Sequence, residues 1–251
     1  MPRFFIPSES SLHNRVILAG TDVHHIRNAL RLCPGDTLTL VTPRGNEYLA
    51  VIRKVEQRAV EVETLEKVCA AKKDSSLEIA LAQGLPRSSK MDVVIQKATE
   101  LGVASIHPFT SARTVPRPNP TQRQGRLARW RRIAMEACKQ CGRTGIPRIH
   151  DILPLEEVIR AAGAASRKIV LWEGAAPAWD RVFEGTPIPN RFFLLVGPEG
   201  GLAEQEVKTC QAAGFIPAGL GRRILRTETA ALCFLAVLQY QLGDMRQPER
   251  L

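Results

Sequence analysis

The chain changes its hydrophobic rhythm once, a little before residue 77. Upstream, apolar and polar positions alternate in short runs at 37–41, 47–55 and 59–65, and Pro43-Arg-Gly-Asn46 separates the first two. Period-two alternation broken by turn residues predicts a hairpin-rich β module. One helical interruption, at 22–31, stops at Pro34-Gly35, a breaker followed by a turn. A small barrel-like domain fits this pattern. Residues 70–76 are small and polar with no periodicity, so the domain boundary is expected there, dividing the chain into 1–72 and 73–251. Downstream, a strand at 77–83 precedes a helix whose Met91, Val94, Ile95, Ala98 and Leu101 share one face before Gly102, and a second strand occupies 104–109. Strands recur at 168–172, 191–196 and 215–220, with a helix ending near Gly214 between the last two and an apolar helix at 230–242. Strands alternating with helices predict a mainly parallel sheet covered on both faces.

A further helix, within 111–150, changes the picture through its charge. Leu127, Trp130, Ala134, Cys138 and Cys141 form one stripe, while Arg123, Arg126, Arg129 and Arg132 lie off it. That segment holds ten Lys or Arg against one acid, Glu136, so it carries +9 of the net +10. Clustered positive charge is the footprint of a polyanion partner, with a solvated basic helix as the plainer reading. With 44% hydrophobic and 24% charged residues the chain reads as a folded protein. Its longest apolar stretch, 230–238, is far short of the roughly 20 residues that span a bilayer. Neither secretion nor membrane insertion is expected, and six scattered cysteines suit a reducing cytoplasm.

Ligands of parallel α/β sheets bind at the carboxyl ends of strands. Three such ends carry unusual loops: Trp172-Glu-Gly174, Gly197-Pro-Glu-Gly-Gly201, and Gly221-Arg-Arg-Ile-Leu-Arg226. Three glycines in five positions let backbone approach a ligand closely, although a tight turn explains them too. The third loop places Arg222, Arg223 and Arg226 between a buried strand and a buried helix, where arginines call for an anionic partner. Thr227 is expected to cap that helix, with Glu228 in its first turn. Neither the dinucleotide fingerprint nor a phosphate-binding P-loop occurs. Cys138-Lys-Gln-Cys141 lacks a second cysteine pair and falls on the packing stripe, so core cysteines are expected rather than a metal or redox site. His24, His25, His107 and His150 show no metal-ligand spacing, and no hydrolase nucleophile motif is present.

At these residues the chain resembles the bacterial family that methylates N3 of a uridine in small-subunit (16S) ribosomal RNA, within the SPOUT superfamily of knotted methyltransferases. The likeness runs through Arg3-Phe-Phe-Ile6, Leu30-Arg-Leu32 with Pro34-Gly-Asp36, and Lys90-Met-Asp92 with Gln96-Lys-Ala-Thr-Glu-Leu-Gly-Val103. It continues through Cys138-Lys-Gln-Cys-Gly-Arg143, where the family usually has an acid at Lys139, to both C-terminal loops. The resemblance implies an α/β fold: a SPOUT-type trefoil-knotted parallel-sheet domain behind an N-terminal PUA-like β-barrel that docks RNA. It implies S-adenosyl-L-methionine as cofactor, S-adenosyl-L-homocysteine as product, no metal, and a cytoplasmic homodimer acting on small-subunit ribosomal RNA within an assembled or assembling 30S particle. By position, the cofactor residues are Leu171, Glu173, Val196, Gly197, Gly201, Leu220, Gly221, Ile224, Leu225 and Thr229. Arg143, Arg226 and Glu228 are the catalytic candidates, with Glu173 as an alternative proton acceptor. Arg3, Arg27, Arg31, Arg113, Arg123, Arg126, Arg129 and Arg132 are the expected RNA contacts. A related enzyme acting on another RNA and a non-catalytic ribosome-assembly protein stand as alternatives.

Overall fold

The computed structural model describes residues 1–8, 15–68, 74–163, 167–175, 179–184 and 190–246. The expected domain boundary at 72/73 and the C-terminal tail from 247 lie outside these residues. Contacts divide the chain into two compact units, one of residues 1–74 with 138–145, the other of 75–137 with 146–251.

In the first unit, β1 (Arg3–Phe5), β2 (Arg15–Ala19), β3 (Thr37–Val41), β4 (Glu47–Val55) and β5 (Ala59–Val68) form a sheet of order β1-β3-β4-β5-β2. All its pairs are antiparallel except β1 with β3. Alternation puts Val16, Leu18, Leu38, Leu40, Ile52, Val60 and Val62 into one core with Phe4 and Ile26. The expected barrel is an open half-barrel, since β1 and β2 are its edges. The helix expected at 22–31 is shorter and mixed: α1 (Thr21–His24) widens into a π-helical turn, His25–Ala29, closed by the Leu30 N–H on the His25 carbonyl at 2.9 Å. The wider turn keeps Val23 and Ile26 buried before the chain reverses at Arg31, φ +54°.

The second unit begins with β6 (Glu78–Gly84), α2 (Lys90–Glu100), β7 (Ser105–Thr110) and α3 (Pro120–Cys141), whose last turn belongs to the first unit. Asn119 starts α3 by accepting the Gln122 N–H at 2.9 Å, and Pro120 fills the first helical position. Short β8 (Arg148–Ile149) and β9 (Leu153–Pro154) precede α4 (Leu155–Ala161), β10 (Arg167–Leu171), α5 (Trp179–Phe183), β11 (Arg191–Val196), α6 (Glu204–Ala212), β12 (Ile216–Ala218) and α7 (Thr227–Leu242). The sheet order is β12-β10-β11-β6-β7-β8, with β9 also beside β7, and every pair is parallel. Arg191-Phe-Phe-Leu-Leu-Val196 shows why a continuous apolar run is needed in such a sheet. Phe192, Leu194 and Val196 enter the core under α2, α3 and α7, and Phe193 and Leu195 enter the opposite core under α4 and α6. The two-residue strands β8 and β9 are too short to show periodicity, which is why the sequence did not reveal them.

This packing includes a stacked histidine pair, with His107 buried and His150 half-buried. The His107 ring stacks on His150 at 3.8 Å between centroids, and its Nδ1 has no hydrogen-bond partner. Desolvation first, then the neighbouring His150 and Arg148, push the His107 pKa down from 6.5 to about 4. His150 moves in the same direction, chiefly by burial. A histidine buried neutral stabilises the fold fully above its unfolded pKa and loses that contribution as pH falls. For His107 the window runs from 6.5 down to about 4 and is worth at most about 3 kcal/mol. Denaturant unfolding between pH 7 and 4.5 should therefore show a slope that His107→Leu flattens; an unchanged slope would assign the acid sensitivity to other groups.

Candidate functional site

The strand order forces a crossing. Residues 219–226 leave β12 at one end of the sheet, yet Thr227 is bonded to Gln83 on β6, with β10 and β11 between. The segment must pass the carboxyl ends of β10 and β11, and there a cleft of about 380 Å³ opens, within the usual range of roughly 300–1,000 Å³ for ligand sites. Leu171, Val196, Leu220 and Leu225 supply apolar lining, Gly197, Gly201 and Gly221 bring backbone to its edge, and Glu173 and Arg226 add charge. Ile224 also lines it while 83% exposed. Among the described residues, no hydrogen bond within the chain uses the backbone of residues 219–225. Residues 221–224 are exposed, so their N–H and C=O groups are open to solvent and available to pair with a ligand that enters the cleft.

Thr227 corrects an expectation. It does not cap α7 but is its first residue, with Arg226 in the capping position and no side-chain cap. Its buried hydroxyl donates to the Gly197 carbonyl at 2.5 Å and accepts from Gln83 Nε2 at 2.8 Å. Gln83 Nε2 also donates to the Gly84 carbonyl at 3.0 Å. The hydroxyl thus ties together the end of β6, the glycine loop after β11 and the start of α7. Gly84 permits the close approach, because a Cβ there would stand 2.5 Å from the Pro198 nitrogen. Glu206 fixes the far side of the same loop, accepting N–H groups of Ala203 and Ala112, both at 2.8 Å.

The family model of the RNA methyltransferase domain matches residues 73–239, and that of the RNA methyltransferase PUA domain matches 18–65. The chain belongs to the RNA methyltransferase family. The ribosomal RNA small subunit methyltransferase E of Bacillus subtilis is 31% identical, with 91% of each chain covered. The structure of a protein of that name from Neisseria gonorrhoeae, bound to S-adenosyl methionine, is similar at TM-score 0.86 and 33% identity, over 98% of this chain and 99% of that one. A Legionella pneumophila methyltransferase in complex with bound cofactor SAM gives TM-score 0.89 at 32% identity, over 97% and 98%. The fold is the class anticipated, a SPOUT-type α/β parallel-sheet domain with an N-terminal PUA-like half-barrel.

In this RNA methyltransferase the remaining expected residues are dispersed. Thr229 is exposed on α7 and is not in the cleft lining. Glu228 is not in the lining either; its Oε2 is buried without a hydrogen bond, 3.7 Å from Lys90 Nζ. Arg143 belongs to the first unit, 8% exposed, with its Nε 2.7 Å from Asp74. Burial alone would raise the Asp74 carboxyl, but hydrogen bonds from Arg143 and Thr144, the Arg143 charge and the Gly145 N–H hold it below its ordinary value. Arg3 is tied to Glu47 at 2.6 Å and to the Gly142 carbonyl. Lys139 pairs with Asp22 at 2.8 Å beneath the Phe4 ring, a packing role within the same unit. Cys138 is buried and desolvation pushes its thiol up to about 12, which makes it an inert core side chain. Arg27, Arg31, Arg123, Arg129 and Arg132 are exposed and Arg126 half-exposed. Arg129 nonetheless meets Asp92 at 2.5 Å, and Arg113 donates to the Gly200 carbonyl at 3.0 Å on the rim of the glycine loop.

Trp172 and Glu199 line the cleft from the loops singled out in sequence, whereas sequence reasoning missed Leu202 and Ala218, and Lys90, which it had noted only as part of a family motif. Lys90 comes from α2, far in sequence from the strand-end loops, and nothing local marks it. Thr227→Val should destabilise the domain by roughly 1–2 kcal/mol in denaturant unfolding, since the Gly197 carbonyl keeps only a long bond from Gln83 at 3.5 Å and the Gln83 amide loses one of its acceptors. Thr227→Ser should recover most of that loss; a valine variant as stable as the parent would remove the hydroxyl from its central place.

Proposed function

We propose that the protein methylates N3 of a uridine in small-subunit ribosomal RNA, using S-adenosylmethionine, and works as a cytoplasmic homodimer on 30S particles. The observation that carries this reading is the cleft itself: apolar walls, unpaired backbone at 219–225 and the Glu173 carboxylate, in a chain whose relatives are small-subunit ribosomal RNA methyltransferases. Those donors and acceptors fit S-adenosylmethionine. Its adenine edge would pair with backbone, its aliphatic and ring surfaces would lie on Leu171, Val196, Leu220 and Leu225, and its hydroxyls or ammonium would meet Glu173. When bound, the cofactor supplies an electrophilic methyl group on a sulfonium.

Uridine N3 is an imide nitrogen and becomes nucleophilic only as its proton leaves and charge spreads to O2 and O4. Arg226, on the cleft, is the cation facing that charge, because a guanidinium donates and never deprotonates under these conditions. Glu228, one residue beyond the Thr227 anchor, is the carboxylate that finally holds the proton. Exposed arginines of α3 grip phosphates, which explains why positive charge is concentrated there. A second copy fits the outer face of α7, where Thr229, Cys233 and Tyr240 are exposed beside half-buried Ala236 and Val237.

Mass mapping of ribosomal RNA from a strain lacking the gene tests the substrate. One 3-methyluridine should disappear and return on complementation; if every 3-methyluridine survives, the RNA or the atom is wrong. Arg226→Ala should lower turnover about 100-fold or more with little change in unfolding midpoint. Arg129→Ala should instead weaken RNA binding and flatten its salt dependence, leaving the cofactor's dissociation constant unaltered.

A further inference from the structure

Lys90 opens α2, lines the cleft and is bracketed by two carboxylates. Its Nζ lies 3.1 Å from Glu199 Oε1 and 3.7 Å from Glu228 Oε2. Glu199 is itself fixed by the Arg87 N–H at 2.9 Å. Burial would raise the Glu199 carboxyl, yet that N–H and Lys90 hold it below its ordinary value, so Glu199 stays ionised as an anchor. Glu228 is different: its Oε2 is buried, makes no hydrogen bond, and lies just outside hydrogen-bond reach of Lys90. Two carboxylates facing one ammonium leave one carboxylate in excess. The cluster therefore can take up a proton and still keep an ion pair.

A base at N3 must be matched to an imide in acidity, and an amine is a far closer match than a carboxylate. Lys90 lines the cleft, whereas the Glu228 oxygen is shielded from it. Resting on the assignment of uridine N3 as the target, we propose that Lys90 is the group that takes the N3 proton, relaying one of its own to Glu228. In the step, an Nζ–H bond of Lys90 breaks as an O–H bond forms on Glu228 Oε2, and the N3 proton replaces the one that left. The N3 electron pair forms the bond to the methyl carbon. The methyl–sulfur bond breaks with its electrons remaining on sulfur, and S-adenosylhomocysteine departs as a neutral thioether. Glu228 later loses its proton to solvent. Lys90 is thus a catalytic residue, and Glu199 is the positioning residue that aims it.

The test uses the full-length protein, S-adenosylmethionine and 30S particles or the target ribosomal RNA, with the target uridine in its natural form or replaced by 5-fluorouridine, whose N3–H is more acidic. Lys90→Met should lower kcat by about 100-fold or more with the cofactor's dissociation constant unchanged, and the deficit should shrink on the 5-fluorouridine substrate. Lys90→Arg keeps a cation beside Glu199, so folding is not at stake, but an arginine cannot give up a proton and should fail to rescue. Restored turnover in Lys90→Arg, or an equal deficit on both substrates, would overturn the relay and leave Lys90 a purely electrostatic or structural cation. A wild-type protein that forms no 3-methyluridine would instead refute the reading of the reaction on which the relay rests, so the two failures are distinct.

Discussion

A single buried hydroxyl holds the cleft together. Thr227 joins Gln83 at the end of β6 to Gly197 after β11 while starting α7, segments that lie 144 and 30 residues from it in sequence. Parallel sheets leave their strand ends to be organised by loops, and loops alone are mobile. Here the loop after β12 must cross two strand ends before it reaches its helix, and the Thr227 bonds fix where that crossing finishes. Everything that lines the cleft between Gly219 and Arg226 is suspended between β12 and this anchor. Gly84 serves the same end from below, because its missing side chain lets the Gly197-Pro198 backbone lie directly against β6.

Suspension explains the chemistry of the wall. A segment held at its ends but bonded to nothing in between presents a row of donors and acceptors, the form of recognition that tells a purine edge from a merely apolar surface. Charge is divided in the same spirit. The acids that line the cleft, Glu173 and Glu199, stand on loops, Glu228 lies behind them at the start of α7, and Lys90 and Arg226 are interleaved with them. The greater positive charge lies on α3, where Arg123, Arg129, Arg131 and Arg132 are exposed. The concentrated positive charge of α3 and the charged groups beside the cleft thus stand on separate elements.

How much of this was legible depended on range. β11 was visible because a run buried on both faces is uniformly apolar, and α2 and α3 were visible because their stripes recur at helical spacing. The three strand-end loops were found from glycine and arginine alone, and most of the cofactor positions implied by resemblance do line one cleft; Thr229 does not. Thr227 was misread because a threonine before an apolar helix looks like a cap, and only the sheet order shows that its hydroxyl has a partner on another strand. Arg3 was expected to contact RNA and Arg143 to be catalytic; their partners Glu47 and Asp74 are 44 and 69 residues away, beyond any local pattern. The π-helical turn at His25–Ala29 was invisible for the opposite reason, since α and π turns share the same residue preferences.

The central claim is that residues 219–225 are left unbonded for a cofactor to complete. Amide hydrogen exchange followed residue by residue, with and without saturating S-adenosylmethionine, measures that directly. The account predicts rapid exchange across 219–225 in the free protein and strong protection of several of these amides in the bound one, with α7 protected in both states. Amides at 219–225 that are already protected without cofactor, or that stay equally exposed when it is bound, would contradict it.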